Sequence, residues 1–126
     1  MAFVLDTGAL IAVDRGDRSL FAALEAARRR ELPIVTSSGC VAQVWRKGGP
    51  KQANLSRVLA AVFEAPLNDS ASRTIGALCA NTKTSDVVDA HVAVLTGDGD
   101  VLFTSDVGDL KRLVRARGKT AEIRAC

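Results

Sequence analysis

Phe3-Val4-Leu5-Asp6-Thr7-Gly8-Ala9-Leu10-Ile11-Ala12-Val13 is the stretch whose reading settles the fold. Three apolar residues in a row, without polar alternation, describe a strand covered on both faces. Asp6 closes that run, Thr7-Gly8 turns the chain, and the apolar residues from Ala9 to Val13 open a short helix. An acid at the end of a strand covered on both sides meets little surface pressure to be charged, which makes Asp6 a candidate for chemistry.

Outward from this segment the strand-then-helix unit recurs. Asp17 is a predicted N-cap for a helix with Leu20, Phe21, Leu24 and Ala27 on one face, and Pro33 ends it before a second strand through Thr36. Ser37 or Ser38 is expected to start a third helix carrying Val41, Val44 and Trp45, broken at Gly48-Gly49-Pro50. A fourth helix is predicted from Ala53 to Phe63, then a weak strand at Ala65-Pro66-Leu67, then a fifth helix capped by Asp69 and carrying Ile75 and Leu78. Ser85 is the predicted cap of a sixth helix, Asp86 to Leu95. Val101-Leu102-Phe103-Thr104 reads as a buried strand, Ser105 as the cap of a seventh helix to about Ala116, and Ala121-Glu122-Ile123 as an edge strand. Such alternation implies a parallel sheet of about four or five short strands with helices on both faces, an α/β sandwich. Without repeat, linker or low-complexity segment, residues 1–126 are expected to form one domain.

Composition narrows the function classes. Apolar residues make up 48% of the chain but aromatic ones only 4%, with no Tyr, which argues against a stacking platform for single-stranded bases. Lys and Arg number 17 against 14 Asp and Glu, a net +3 compatible with a polyanionic partner. The basic residues cluster at Arg28-Arg29-Arg30, at Arg46, Lys47, Lys51 and Arg57, and from Lys111 to Arg124. Cys40, Cys79 and Cys126 lack metal-ligand spacing and read as reduced thiols, with Cys40 and Cys79 expected to be buried. No apolar run is long enough for a membrane span and the start lacks a basic leader, so a cytoplasmic location is expected.

In open α/β sheets ligands bind beyond the carboxyl ends of the strands, where the strand order reverses. Asp6 and Asp106 lie at or just past the ends of the two clearest strands. Asp86 and Asp89 share a helix face, and Asp106 and Asp109 repeat that spacing. If the two strands are neighbours, these acids converge. Several carboxylates in one small site need a counter-charge, and hard Mg²⁺ or Mn²⁺ supplies it through oxygen ligands. The pattern points to phosphodiester or phosphate hydrolysis. Asp17 and Asp69 read instead as ordinary helix caps. His91 falls on another face from Asp89, and Trp45 reads as a core or dimer-interface residue.

These residues resemble the PIN-domain nucleases, in particular VapC-type toxins of toxin–antitoxin pairs. Val4-Leu5-Asp6-Thr7-Gly8-Ala9-Leu10-Ile11-Ala12 is similar to that family's first motif, Asp89-Ala90-His91-Val92-Ala93 to the acid opening the helix before the penultimate strand, and Val101 through Leu110 to the final motif, with Thr104 two places before Asp106. The resemblance covers essentially the whole chain. It implies a PIN-like three-layer sandwich and a Mg²⁺- or Mn²⁺-dependent endoribonuclease that hydrolyses RNA with metal-activated water. It also implies a cognate VapB-type antitoxin and a homodimer. Carried over residue by residue, Asp6, Asp89 and Asp106 are the metal ligands, Thr104 orients a ligand or the water, and Asp86 or Asp109 acts through water. Arg46 and Lys47 are candidates for contacting RNA or antitoxin.

One position departs from the family pattern. Gln43 in Val41-Ala42-Gln43-Val44 stands where the family usually has a glutamate, so an oxygen ligand is kept and a negative charge lost, which weakens a second cation site. The alternative reading is therefore a catalytically weakened binding module on the same fold. Dehalogenase-type phosphatases fit less well, since they want an acid at position 8, where Gly8 stands. Receivers want an acid after the third strand and a lysine after the fifth, and a dinucleotide-binding domain wants a glycine fingerprint that is missing. Gln43→Glu is expected to tighten divalent-cation binding without reducing cleavage; calorimetric titration with Mn²⁺ checks this, and weaker binding would remove Gln43 from the site.

Overall fold

A computed structural model describes residues 1–126. Five strands, β1 (Phe3–Leu5), β2 (Ile34–Ser37), β3 (Phe63–Ala65), β4 (Val101–Thr104) and β5 (Glu122–Ala125), form one sheet in the order β3-β2-β1-β4-β5. Every pairing is parallel. Seven helices cover it: α1 (Thr7–Asp14), α2 (Arg18–Arg29), α3 (Ser38–Val44), α4 (Ala53–Leu59), α5 (Asp69–Thr82), α6 (Val87–Leu95) and α7 (Val107–Ala116). Helix α1 packs against α2, α3 and α4, while α6 packs against α5 and α7. This is the expected α/β sandwich with a five-stranded parallel sheet.

The central strand is the one the sequence marked. Val4 and Leu5 are wholly buried, and their register partners are Val35 and Thr36 on one side and Leu102 and Phe103 on the other. Leu10, Leu55, Leu102, Leu110 and Leu113 are sealed in the core with them. Each such side chain stabilises the fold by about 1.5–3 kcal/mol through burial. The amphipathic pattern of α2 is realised as predicted: Leu20, Leu24 and Ala27 face inward, and Asp17 accepts the Leu20 amide at 3.0 Å. No helix is long and apolar enough to cross a membrane.

The differences from expectation lie at element ends. Helix α4 stops at Leu59, and Phe63, expected to be helical, instead pairs with Val35 as the start of β3. An aromatic residue beside Val62 suits a strand, and the free edge of β2 supplies the partners that local propensity cannot. Pro66 has no N–H to continue the ladder, so β3 ends at Ala65 rather than running through Leu67. Trp45 terminates α3 in extended conformation and is 38% exposed, outside the core. Cys40 is buried but Cys79 only half so, and Cys126 is exposed.

Three predicted caps shift by one residue: Asn68, Asp86 and Asp106 do the capping expected of Asp69, Ser85 and Ser105. Helix α5 runs on to Thr82, whose carbonyl accepts from the Arg112 guanidinium at 2.8 Å.

Gly8 is fixed by close approach rather than by an unusual backbone angle. A methyl group there would lie 2.1 Å from the Ser105 hydroxyl, 2.5 Å from its Cβ and 3.0 Å from its backbone nitrogen. Rotating the serine side chain relieves only the first contact. Gly8→Ala is therefore expected to cost about 1–3 kcal/mol, read as a lowered denaturation midpoint. Adding Ser105→Gly should recover part of the loss; an unchanged midpoint in the single variant would contradict the packing argument.

Candidate metal centre

The strand order answers the condition on which convergence depended: β1 and β4 are neighbours, and Leu5 is in register with Phe103. The chain leaves both strands at the same edge, with the Asp6 amide donating to the Phe103 carbonyl at 3.2 Å. Asp6 is only 3% exposed. Its Oδ1 accepts from the Ala9 amide at 2.8 Å, capping α1. Thr104, fully buried at the end of β4, accepts the Asp106 amide at 2.8 Å and hydrogen-bonds through its hydroxyl to the Asp6 carboxylate. One hydroxyl thus links the two strand-end acids.

The other acids arrive on helix N-termini. Asp86 caps α6 by accepting the Asp89 amide at 3.0 Å, and Asp106 caps α7 by accepting the Asp109 amide at a long 3.4 Å. Carboxylate oxygens of Asp89, Asp106 and Asp109 all lie within 4.8 Å of one another. Asp109, an accessory candidate by sequence, belongs to this tight trio. Asp6 sits outside it but is electrostatically joined to it, because its charge and those of Asp86 and Asp106 are all felt at Asp89. Not all aspartates are recruited. Asp100 accepts the amides of Ala2 and Gly97, and Asp98 accepts that of Thr120, so both serve the turn before β4.

Crowding leaves a signature in the protonation equilibria. Burial, then the charge of Asp86, then that of Asp6, with further contributions from a hydrogen bond to Asp86 and the charge of Asp106, pushes Asp89 up to about 7. Asp6 is also raised, by burial, against the opposing pull of hydrogen bonds from Thr104 and the amides of Ala9, Ser105 and Gly8. Such a donor set fits a hard divalent cation: all-oxygen, anionic, and in mutual repulsion that positive charge relieves.

Gln43 is exposed at the rim, where its Oε1 accepts the hydroxyl of Thr7, the residue following Asp6. Sequence reading missed this Thr7 contact; its only signal was a hydroxyl residue immediately after the strand-end acid. Arg46 and Lys47 are exposed in the turn after α3, with the Arg46 amide held by the Gln52 side chain. His91 is buried and its Nδ1 lies 2.7 Å from the Ser37 hydroxyl, tying α6 to the start of α3. Burial lowers its basicity, and it serves as a packing residue.

Above the ordinary aspartate range and up to about pH 7, the folded protein holds a proton on Asp89 that the unfolded chain releases. This contribution to metal-free stability is present at low pH and is lost as pH rises through about 7. Asp89→Asn, which removes the charge, should therefore stabilise the metal-free protein more at about pH 8.5 than at about pH 5.5. Solvent screening at this half-buried position limits the difference to about 1 kcal/mol. Thermal melts in EDTA measure it, and an equal effect at both pH values would contradict the crowding.

No family model matches the chain, and no curated protein matches it. Among solved structures, a chain of "VapBC2 from Rickettsia felis bound to a DNA fragment from their promoter" is similar to this one. It has 16% sequence identity, covers 100% of this chain and 99% of that chain, and superimposes with a TM-score of 0.71. At that identity the likeness establishes a shared fold, in keeping with the PIN-like sandwich expected from the motifs.

Proposed function

We propose that the chain is a divalent-metal-dependent endoribonuclease of the VapC type, the toxin half of a toxin–antitoxin pair. The observation that carries this reading is the convergence of Asp6, Asp89, Asp106 and Asp109 at the carboxyl ends of neighbouring parallel strands, with Asp89 raised to about 7 by burial and by its acidic neighbours. Asp6, Asp89 and Asp106 would hold Mg²⁺ or Mn²⁺, with Asp109 beside them and Asp86 acting through the Asp89 amide or water. When bound, such an ion polarises a phosphoryl oxygen and activates water near neutral pH.

The chain's own residues define what surrounds that chemistry. Thr104 fixes the orientation of Asp6 and the entry into α7 together. The amide ends of α1, α6 and α7 offset negative charge at the crevice. His91 is locked to Ser37 in the interior, so it is not available as a general base. A VapB-type antitoxin, supported by the fold shared with a chain of the VapBC2 structure, and a second copy of the chain complete the proposed assembly.

Purified protein should cleave RNA in Mn²⁺ and lose that activity in EDTA. Asp6→Asn should lower the rate at least about 100-fold. Asparagine still caps α1 and carries no charge into the buried position, so the thermal unfolding of this variant should remain cooperative. Cleavage that persists in EDTA, or failure to cut any RNA supplied, would defeat the enzyme reading and leave a binding module on the same fold.

A further inference from the structure

A groove opens directly beside the acid cluster on the α1 side. Gly8 and Ser105, which flank Asp6 and Asp106 in the chain, form its near wall; Ile11 and Arg15 of the α1 region and Cys126 at the end of β5 line it further out. Its volume is about 480 Å³, within the range of about 300–1,000 Å³ typical of ligand sites. Asp17 and Cys126 also line a second hollow of about 220 Å³, which reaches Leu20 and Arg124.

Arg15 is the cation in the lining of this groove, and it is in no ion pair. The ion pairs of the chain join Glu25 to Arg28 and Arg29, and Glu122 to Arg124; Arg15 is in none of them. Of the two acids nearest in sequence, the adjacent Asp14 makes no ion pair with it, and Asp17 has an oxygen engaged by the Leu20 amide. Arg15 follows the last residue of the eight-residue α1, a helix about 12 Å long that begins just after Asp6. A guanidinium carried at the far end of that helix is placed to hold a phosphate of the strand other than the one being cut. A polyanion brought to a cluster of carboxylates needs just such a separate anchor, and a chain poor in aromatic residues must provide it by charge.

We propose that this groove is the path of a single-stranded RNA away from the acid cluster, with Arg15 gripping a backbone phosphate. The inference rests on the ribonuclease reading of the cluster and adds the direction of the strand and the residue that sets it. It places one face of α1 and the end of β5 along the substrate, and puts the thiol of Cys126 under the bound strand.

A short fluorescent single-stranded RNA, titrated by anisotropy in Ca²⁺ at several salt concentrations, tests it. Arg15→Ala should weaken binding about fivefold. It should also flatten the slope of log affinity against log salt by about 0.7, the loss of one phosphate contact. Arg29→Ala, which removes equal charge from the Glu25 pair, should leave both unchanged. In parallel, the RNA should slow alkylation of Cys126 by a maleimide without slowing that of Cys79. Wild-type affinity and slope in Arg15→Ala, an equal loss in Arg29→Ala, or unprotected Cys126 each overturn the path, as does a wild-type chain that binds no strand. Because binding is read without cleavage, the two readings can fail separately: a protein that cuts RNA but ignores Arg15 loses only the path, and one that binds through Arg15 but cuts nothing loses only the nuclease.

Discussion

Like charges brought close together govern the upper edge of this sheet. Asp6, Asp86 and Asp106 each cap a helix, and in each case the capping oxygen receives an amide of that helix's first turn. The acids are therefore held by the backbone before any ligand is considered. A cap needs only one acceptor, so each carboxylate has a second oxygen for further contacts, such as those of Asp6 with Thr104 and of Asp86 with Asp89. The helix N-termini also contribute partial positive charge, which lowers the cost of concentrating acids there. That relief is incomplete, as the elevated Asp89 shows. Burial and repulsion that outlast three helix caps are the physical reason to look for a cation.

Strand order turns local capping into a shared site. With β1 between β2 and β4, the chain crosses over after β1 in one direction and reaches β4 from the other, which opens the crevice at their common end. Thr104 then makes the junction rigid, since its hydroxyl is engaged by the Asp106 amide and by Asp6 at once. Gly8 lets the loop after β4 approach the start of α1 more closely than any side chain would permit. The positions that bring the acids together are thus mostly positions that also fix the packing of α1 and α7 on the sheet.

Much of this was legible in the sequence because buried parallel strands leave an unambiguous trace. Phe3–Leu5 and Val101–Thr104 are uninterrupted apolar runs, and both are strands at the predicted places. The ends of elements were harder. Ser85 and Asp86, or Ser105 and Asp106, are equally good caps by residue type, and only tertiary geometry selects the acid. Phe63 went from helix to strand because the edge of β2 was available, a fact of assembly absent from any local window. At the site, spacing identified the participating acids, but Asp109 could not be ranked with Asp89 and Asp106 until the first turns of α6 and α7 were set side by side.

Gln43 acquires a sense in this setting. A glutamate would add one more negative charge near Thr7 and Asp6, in a neighbourhood where burial already raises Asp6, and burial with repulsion raises Asp89. The amide keeps an oxygen toward Thr7 and adds no charge. Without a cation, the neutral side chain spares the folded state part of the electrostatic cost; with one, it offers a weaker ligand. The two effects have the same origin, so stability of the empty site and affinity for the ion trade against each other at this position. A chain with Gln43 sits toward the stable, more weakly binding end of that trade, which weakens a second cation site on the Thr7 side more than the one proposed at Asp6, Asp89 and Asp106.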